Sequence, residues 1–228
     1  NLLLAGFDAK VIRQELHEFF ADRKVSGSEC EQSTQTRTFV VNNLMKIWIS
    51  PDQELMPFRD ASLEILQRNP SMAVPIHWGL ISAVYPFWFN VARQTGRLLA
   101  LQDQVTQTQI INRLKEQYGD RQTVSRYAKY VIRSFVAWGV LQDSEAKGCY
   151  EKSVPMNTTE PTLAILMFES ALRATPEAKG ALKLLLNNPA FFPFQLPVMT
   201  GDFIAQRNER IEVVRYGLDD ELLKLRIR

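Results

Sequence analysis

The stretch that most constrains this chain runs from residue 105 to 152, VTQTQIINRLKEQYGDRQTVSRYAKYVIRSFVAWGVLQDSEAKGCYEK. Thr106 opens a helix. Its hydroxyl can accept from a first-turn amide while Gln109, three residues on, reaches back, the reciprocal pattern of a capping box. Ile110, Ile111, Leu114 and Tyr118 supply an apolar face. Gly119 is suited to stop the helix because it tolerates positive φ. Asp120 or Thr123 can cap a second helix that runs to about Trp138, before Gly139.

In that second helix Val124, Ala128, Val131 and Phe135 fall at +4, +3 and +4, so they share one face. Gln122, Arg126, Lys129 and Arg133 fall on roughly the opposite face, and no acidic side chain lies between Arg121 and Trp138. A helix with one apolar stripe and one unneutralised cationic stripe suits a groove lined by phosphates. The charge distribution agrees. Residues 1–100 hold ten basic and ten acidic side chains and 153–228 hold nine of each, whereas 101–152 hold eight basic and six acidic. The whole net charge of +2 therefore lies in this stretch.

Val140–Gln142, the polar DSEAKG loop and Cys149–Glu151 read as a hairpin, with Gly148 fit for a left-handed position. Helix, turn, second helix and hairpin together resemble the winged helix-turn-helix superfamily. "QTVSRYAKYVIRSFVAWGVL" is similar to a recognition helix running into its wing. The resemblance implies duplex DNA binding with the second helix in the major groove and the wing beside it. It implies a contact set of Arg121, Gln122, Thr123, Ser125, Arg126, Lys129 and Arg133, with Lys147 at the wing tip. Winged helices also dock proteins, so a scaffold role stands as the alternative. The overall layout, a helical first half before a basic helix with a glycine stop, also resembles the small helical accessory protein of BREX phage-defence systems.

At 228 residues the chain can bury a substantial core. It starts at Asn1 and not Met, which leaves the true N-terminus open, and Leu2–Ala5 is too brief for a signal-peptide core. Cys30 and Cys149 are far apart without metal-like spacing, so neither a disulfide framework nor a zinc site is expected, and the reducing cytosol is the default compartment to expect. The most apolar run, IHWGLISAVYPFWF at 76–89, is shorter than a bilayer span and interrupted by Pro86. It reads as a buried helix ahead of an interfacial anchor.

Along the rest of the chain, 1–25 reads as a helix with Val11, Ile12, Leu16, Phe19 and Phe20 apolar, then a polar loop at 26–36. Phe39, Val40, Leu44, Ile47 and Trp48 mark a second helix ending at Ser50-Pro51, and Asp60 to Arg68 a third. Arg93 and Arg97 share a helix face, where they can add phosphate contacts or pair with nearby acids. Beyond the wing, a helix is expected over Thr162–Thr175 and another from Pro176 to Asn187-Asn188. Phe191, Phe192 and Phe194, set among prolines, read as core plugs with a partner anchor as the alternative. Ile211-x-Val213 and Leu223-x-Leu225-x-Ile227 flank a turn at 216–220 and read as a terminal hairpin.

The expected class is mainly α: a helical module at 1–100, a winged helix-turn-helix at 101–155, and a helical part at 156–228 ending in a small β-hairpin. No catalytic pattern is legible. His17 and His77 are lone histidines, and Asp52, Glu54 and Asp60 read as solvated loop acids. No cofactor is expected and no heptad seam suggests a dimer. The expected function is non-enzymatic duplex DNA binding in the cytoplasm, as a regulator or accessory subunit of a DNA-acting complex, including phage defence. The alternative is a scaffold that docks partner proteins through its winged helix and FFPF segment.

Overall fold

The computed structural model describes residues 2–21, 33–216 and 220–226. The expected end of the first helix at 22–25, most of the expected polar loop with Cys30, the centre of the expected terminal turn at 217–219, and Ile227 lie outside the described residues. Helices dominate, and the chain divides into two compact units, 1–70 and 71–228.

In the first unit, α1 (Ala9–Ala21) starts where the Asp8 carboxylate accepts from the amides of Lys10 and Val11 at 2.8 and 2.9 Å. Ser33 caps α2 (Thr34–Leu44) by accepting from the Thr36 amide. A π-helical turn, Met45–Ile49, follows, closed by the Ser50 amide on the Met45 carbonyl at 2.8 Å. An i→i+5 turn carries an extra residue, so the face read from a 3.6 period slips. Val41 and Met45 pack with Ile12, whereas Phe39, expected inside, is 49% exposed. The third helix, α3 (Met56–Arg68), begins one turn earlier than expected, with Pro57 in its first turn.

The second unit is built on α4 (Ala73–Val84) and α5 (Pro86–Leu99), which meet at Pro86 with a 120° bend. The apolar run is thus two largely buried helices. No single helix among the described residues is long and apolar enough to cross a membrane. Trp78 is wholly buried. Its indole Nε1–H donates to the Ala190 carbonyl at 3.1 Å, its ring stacks on Phe135 at 5.0 Å, and Trp88, Phe192 and Phe194 meet it edge-on. The FFPF rings are therefore interior packing, and the partner-anchor alternative for that segment is corrected by their place in the core.

Then come β1 (Gln104–Thr106), α6 (Gln107–Tyr118), α7 (Gln122–Ala137), β2 (Leu141–Asp143) and β3 (Cys149–Lys152). The expected hairpin pairs Leu141 with Lys152 and Asp143 with Tyr150. A strand not anticipated, β1, pairs Val105 with Tyr150, giving an antiparallel sheet in the order β1-β3-β2.

A two-residue strand, β4 (Met156–Asn157), leads to α8 (Pro161–Arg173), whose residues Leu163 to Leu172 are all buried. The helix expected from Pro176 is replaced by a turn, β5 (Lys179–Ala181) and one short helix, α9 (Leu182–Leu186). After a 3-10 turn at Pro189–Phe191, β6 (Phe194–Gln195) pairs parallel with β4. The chain closes with α10 (Gly201–Arg207), β7 (Ile211–Tyr216) and β8 (Asp220–Leu225), and β5 adds a third strand to this hairpin in the order β5-β8-β7.

One continuous core runs from Trp78 to Leu225. The divisions expected at 100 and 155 fall inside it, because α5 packs on α6, on α7 and on the Pro189–Phe191 turn. At that turn a Cβ on Gly96 would stand 1.8 Å from the Pro189 carbonyl oxygen, so the contact admits only glycine.

Candidate nucleic-acid interface

The capping box forms as read. Thr106 Oγ1 accepts from the Gln109 amide at 3.1 Å, and Gln109 Oε1 accepts from the Thr106 amide at 2.8 Å. Gly119 ends α6 at φ 82°. The next cap differs from expectation. Arg121 occupies the N-cap of α7 and no side chain caps that end, because the Asp120 carboxylate is held by Lys115 Nζ at 2.7 Å.

Val124, Ala128, Val131, Ile132 and Phe135 are buried and fix the rotation of α7. Arg121, Gln122, Thr123, Arg126, Lys129 and Arg133 are exposed, and Ser125 is half-buried. Among the described residues Arg121, Arg126, Lys129 and Lys147 form no ion pair. The cations of α6 are spoken for instead: Arg113 meets Glu116 at 3.4 Å and Lys115 meets Asp120. The unneutralised charge is therefore concentrated on α7.

Arg133 belongs to a different group. Its Nη1 donates to both carboxylate oxygens of Asp143, at 2.7 and 2.9 Å, and Tyr150 joins the same cluster. The hydrogen bond with Asp143 is the main reason its proton is held more tightly than in an ordinary arginine. The contact fastens α7 to the hairpin and leaves Arg133 without free charge to offer.

Lys147 is exposed in the hairpin loop beside Gly148, whose φ of 77° needs no Cβ. The Gly148 carbonyl accepts from the Gln107 amide at 2.8 Å, so the loop is tied to the start of α6. Helix α7, turn and loop thus form one braced surface.

Two residues on this surface went unread in the sequence. Tyr127 and Tyr130 are 38% and 60% exposed, their rings meet edge-on at 6.2 Å, and the Arg126 guanidinium lies 5.3 Å from the Tyr127 centroid. Their spacing of three on the polar side of α7 was the available signal. Exposed aromatics among cations offer ring faces as well as hydroxyls to a ligand.

Among the described residues no group of three histidine, cysteine or acidic side chains is placed to hold a metal. His77 is held below the ordinary histidine range by burial. No family model, curated protein or solved structure matches the chain.

Proposed function

We propose that this chain binds duplex DNA without enzymatic activity, laying α7 along the major groove with the β2–β3 loop beside it. The observation that carries the reading is the exposed, unpaired set Arg121, Arg126 and Lys129, rigidly backed by Val124, Ala128 and Phe135. Cations held outward with no carboxylate against them gain by releasing the counterions of a phosphate backbone. The order β1, α6, α7, β2, β3 follows that of winged helix-turn-helix proteins, in which the second helix reads the groove. Gln122 and Thr123, exposed in the first turn of α7, are the side chains best placed for base edges. Arg133 serves instead as a brace.

The motif sits among other helices instead of filling the chain, which favours an accessory or regulatory component of a cytoplasmic DNA-acting assembly. A phage-defence setting is proposed with it, on the resemblance of layout alone. A second reading, docking of a partner protein on α7, draws on Tyr127 and Tyr130, since exposed tyrosine is enriched in protein interfaces.

Fluorescence anisotropy on random-sequence duplex at several salt concentrations separates the two. Log affinity falls by about 0.9 per neutralised phosphate per log unit of salt. Arg121, Arg126 and Lys129 alone therefore contribute a slope of about −3, and the full chain should be at least that steep. No binding at low salt would contradict duplex recognition and favour a protein partner.

A further inference from the structure

Helix α5 carries a second cationic pair that the α7 surface does not use. Asn90, Arg93 and Arg97 lie at i, i+3 and i+7, on one side of the helix. Asn90 is buried and its amide donates to the Tyr118 hydroxyl, while Phe87, one turn earlier, meets the Tyr118 ring at 5.3 Å. Tyr118 is the last residue of α6, and the turn after it delivers Arg121 and the start of α7. Arg93, less than one turn beyond Asn90, therefore lies near the turn that leads into α7, and Arg97 one further turn along α5.

What marks the pair is the absence of a neutralising carboxylate among the described residues. Arg93 is half-buried, its Nε is enclosed, and no hydrogen-bond acceptor reaches that atom. Neither Arg93 nor Arg97 forms an ion pair among the described residues. Burial, and after it the like charge of Arg97, weaken the hold of Arg93 on its proton, with only Tyr118 acting the other way. Like charges four residues apart on a helix are mutually unfavourable, and an anion held by the outer N–H groups of both would relieve that repulsion.

The chemistry of that partner follows from the donors. A guanidinium offers only N–H groups. The Tyr118 oxygen already accepts from Asn90, which leaves its own proton to donate. Two guanidiniums with no carboxylate against them select an anion, and a planar guanidinium suits the paired oxygens of a phosphate.

We infer that Arg93 and Arg97 form a second phosphate-binding site, which takes a backbone phosphate of the duplex gripped by α7. The inference rests on the DNA reading of α7 and lengthens its footprint along one strand.

The test uses the full chain with Arg93→Gln, Arg97→Gln and the double variant, each first checked for wild-type circular dichroism and melting temperature in chloride buffer. Arg97 is exposed, so R97Q serves if R93Q disturbs the fold. On random duplex the double variant should bind about three- to tenfold more weakly, with a salt slope shallower by about 0.9. R97Q alone should lose no more than that. Wild-type affinity and slope in the double variant would overturn the inference and leave the α7 reading standing. If the wild-type chain binds no duplex, the α7 reading fails, and inorganic phosphate then decides about the site. A melting temperature raised by phosphate over chloride at equal ionic strength, and not raised in R97Q, keeps a phosphate site; equal response in both removes it.

Discussion

The Nη1 of Arg133 donates to both carboxylate oxygens of Asp143, so the middle of α7 is fastened to the second strand of the sheet that ends in the hairpin loop. The sequence spacing put Arg133 in line with Arg126 and Lys129, yet the fold spends its charge internally. Both partners are more than half exposed, so the pair contributes at most about 1 kcal/mol to stability.

Asp143→Asn should therefore leave the fold intact and release Arg133 toward the ligand. Duplex affinity should rise several-fold, with a salt slope steeper by about 0.9. Arg133→Ala should weaken binding less than Arg126→Ala does. Anisotropy titrations at two salt concentrations measure both, and D143N binding no better than wild type would mean that Arg133 already reaches the phosphates.

A second prediction concerns Glu169, whose carboxylate is wholly buried in α8. It accepts from Arg173 at 2.8 and 3.1 Å, from Arg210 at 2.9 to 3.1 Å, and from Asn208 Nδ2 at 2.8 Å. Burial alone would raise its pKa, but the hydrogen bond and charge of Arg210, then Arg173 and Asn208, outweigh it and hold the value below the usual 4.5. A depressed carboxylate contributes stability that is complete above its unfolded pKa and lost as pH falls through the folded one. Urea unfolding should thus show this contribution unchanged from pH 7 to 5 and declining below about 4.5. Glu169→Ala, which strands Arg210, should cost about 3–5 kcal/mol at pH 7. A loss below 1 kcal/mol would show that the cluster is not closed.

A third prediction contrasts two glycines. A Cβ at Gly96 meets the Pro189 backbone, which cannot swing aside, whereas a Cβ at Gly79 meets the tip of Leu166 at 2.8 Å, which can rotate. Gly96→Ala should destabilise by about 3 kcal/mol or more, and Gly79→Ala by about 1. Denaturant midpoints give the order, and equal costs would contradict the rigid seat of Pro189 on α5.

What could be read from the sequence was local. Thr106 with Gln109, and the glycines at 119, 139 and 148, act within a few residues, and each marks the boundary expected of it. Partners distant in sequence were not legible. β1 pairs with a strand some 45 residues later, and nothing in Gln104–Thr106 itself announces that. Lys179–Ala181 is a strand because β8 offers it an edge, against the helical start that Pro176 suggested. The π-helical turn that follows α2 has no clear sequence mark, and the Glu169–Arg210 contact spans 41 residues. Within the candidate site the apolar backing and the outward cations were legible from their period, while the diversion of Arg133 to Asp143 depends on how the hairpin folds back.

The most direct measurement is duplex affinity and its salt slope for Arg126→Ala/Lys129→Ala, beside circular dichroism to confirm the fold. Both side chains are exposed and form no ion pair among the described residues, and Arg126 only lies over the Tyr127 ring. Their removal should therefore leave stability within about 1 kcal/mol of wild type. If α7 grips the backbone, affinity should fall at least tenfold and the slope should become shallower by about 1.8. Unchanged affinity and slope in a folded double variant would contradict the assignment of α7 as the DNA-binding element.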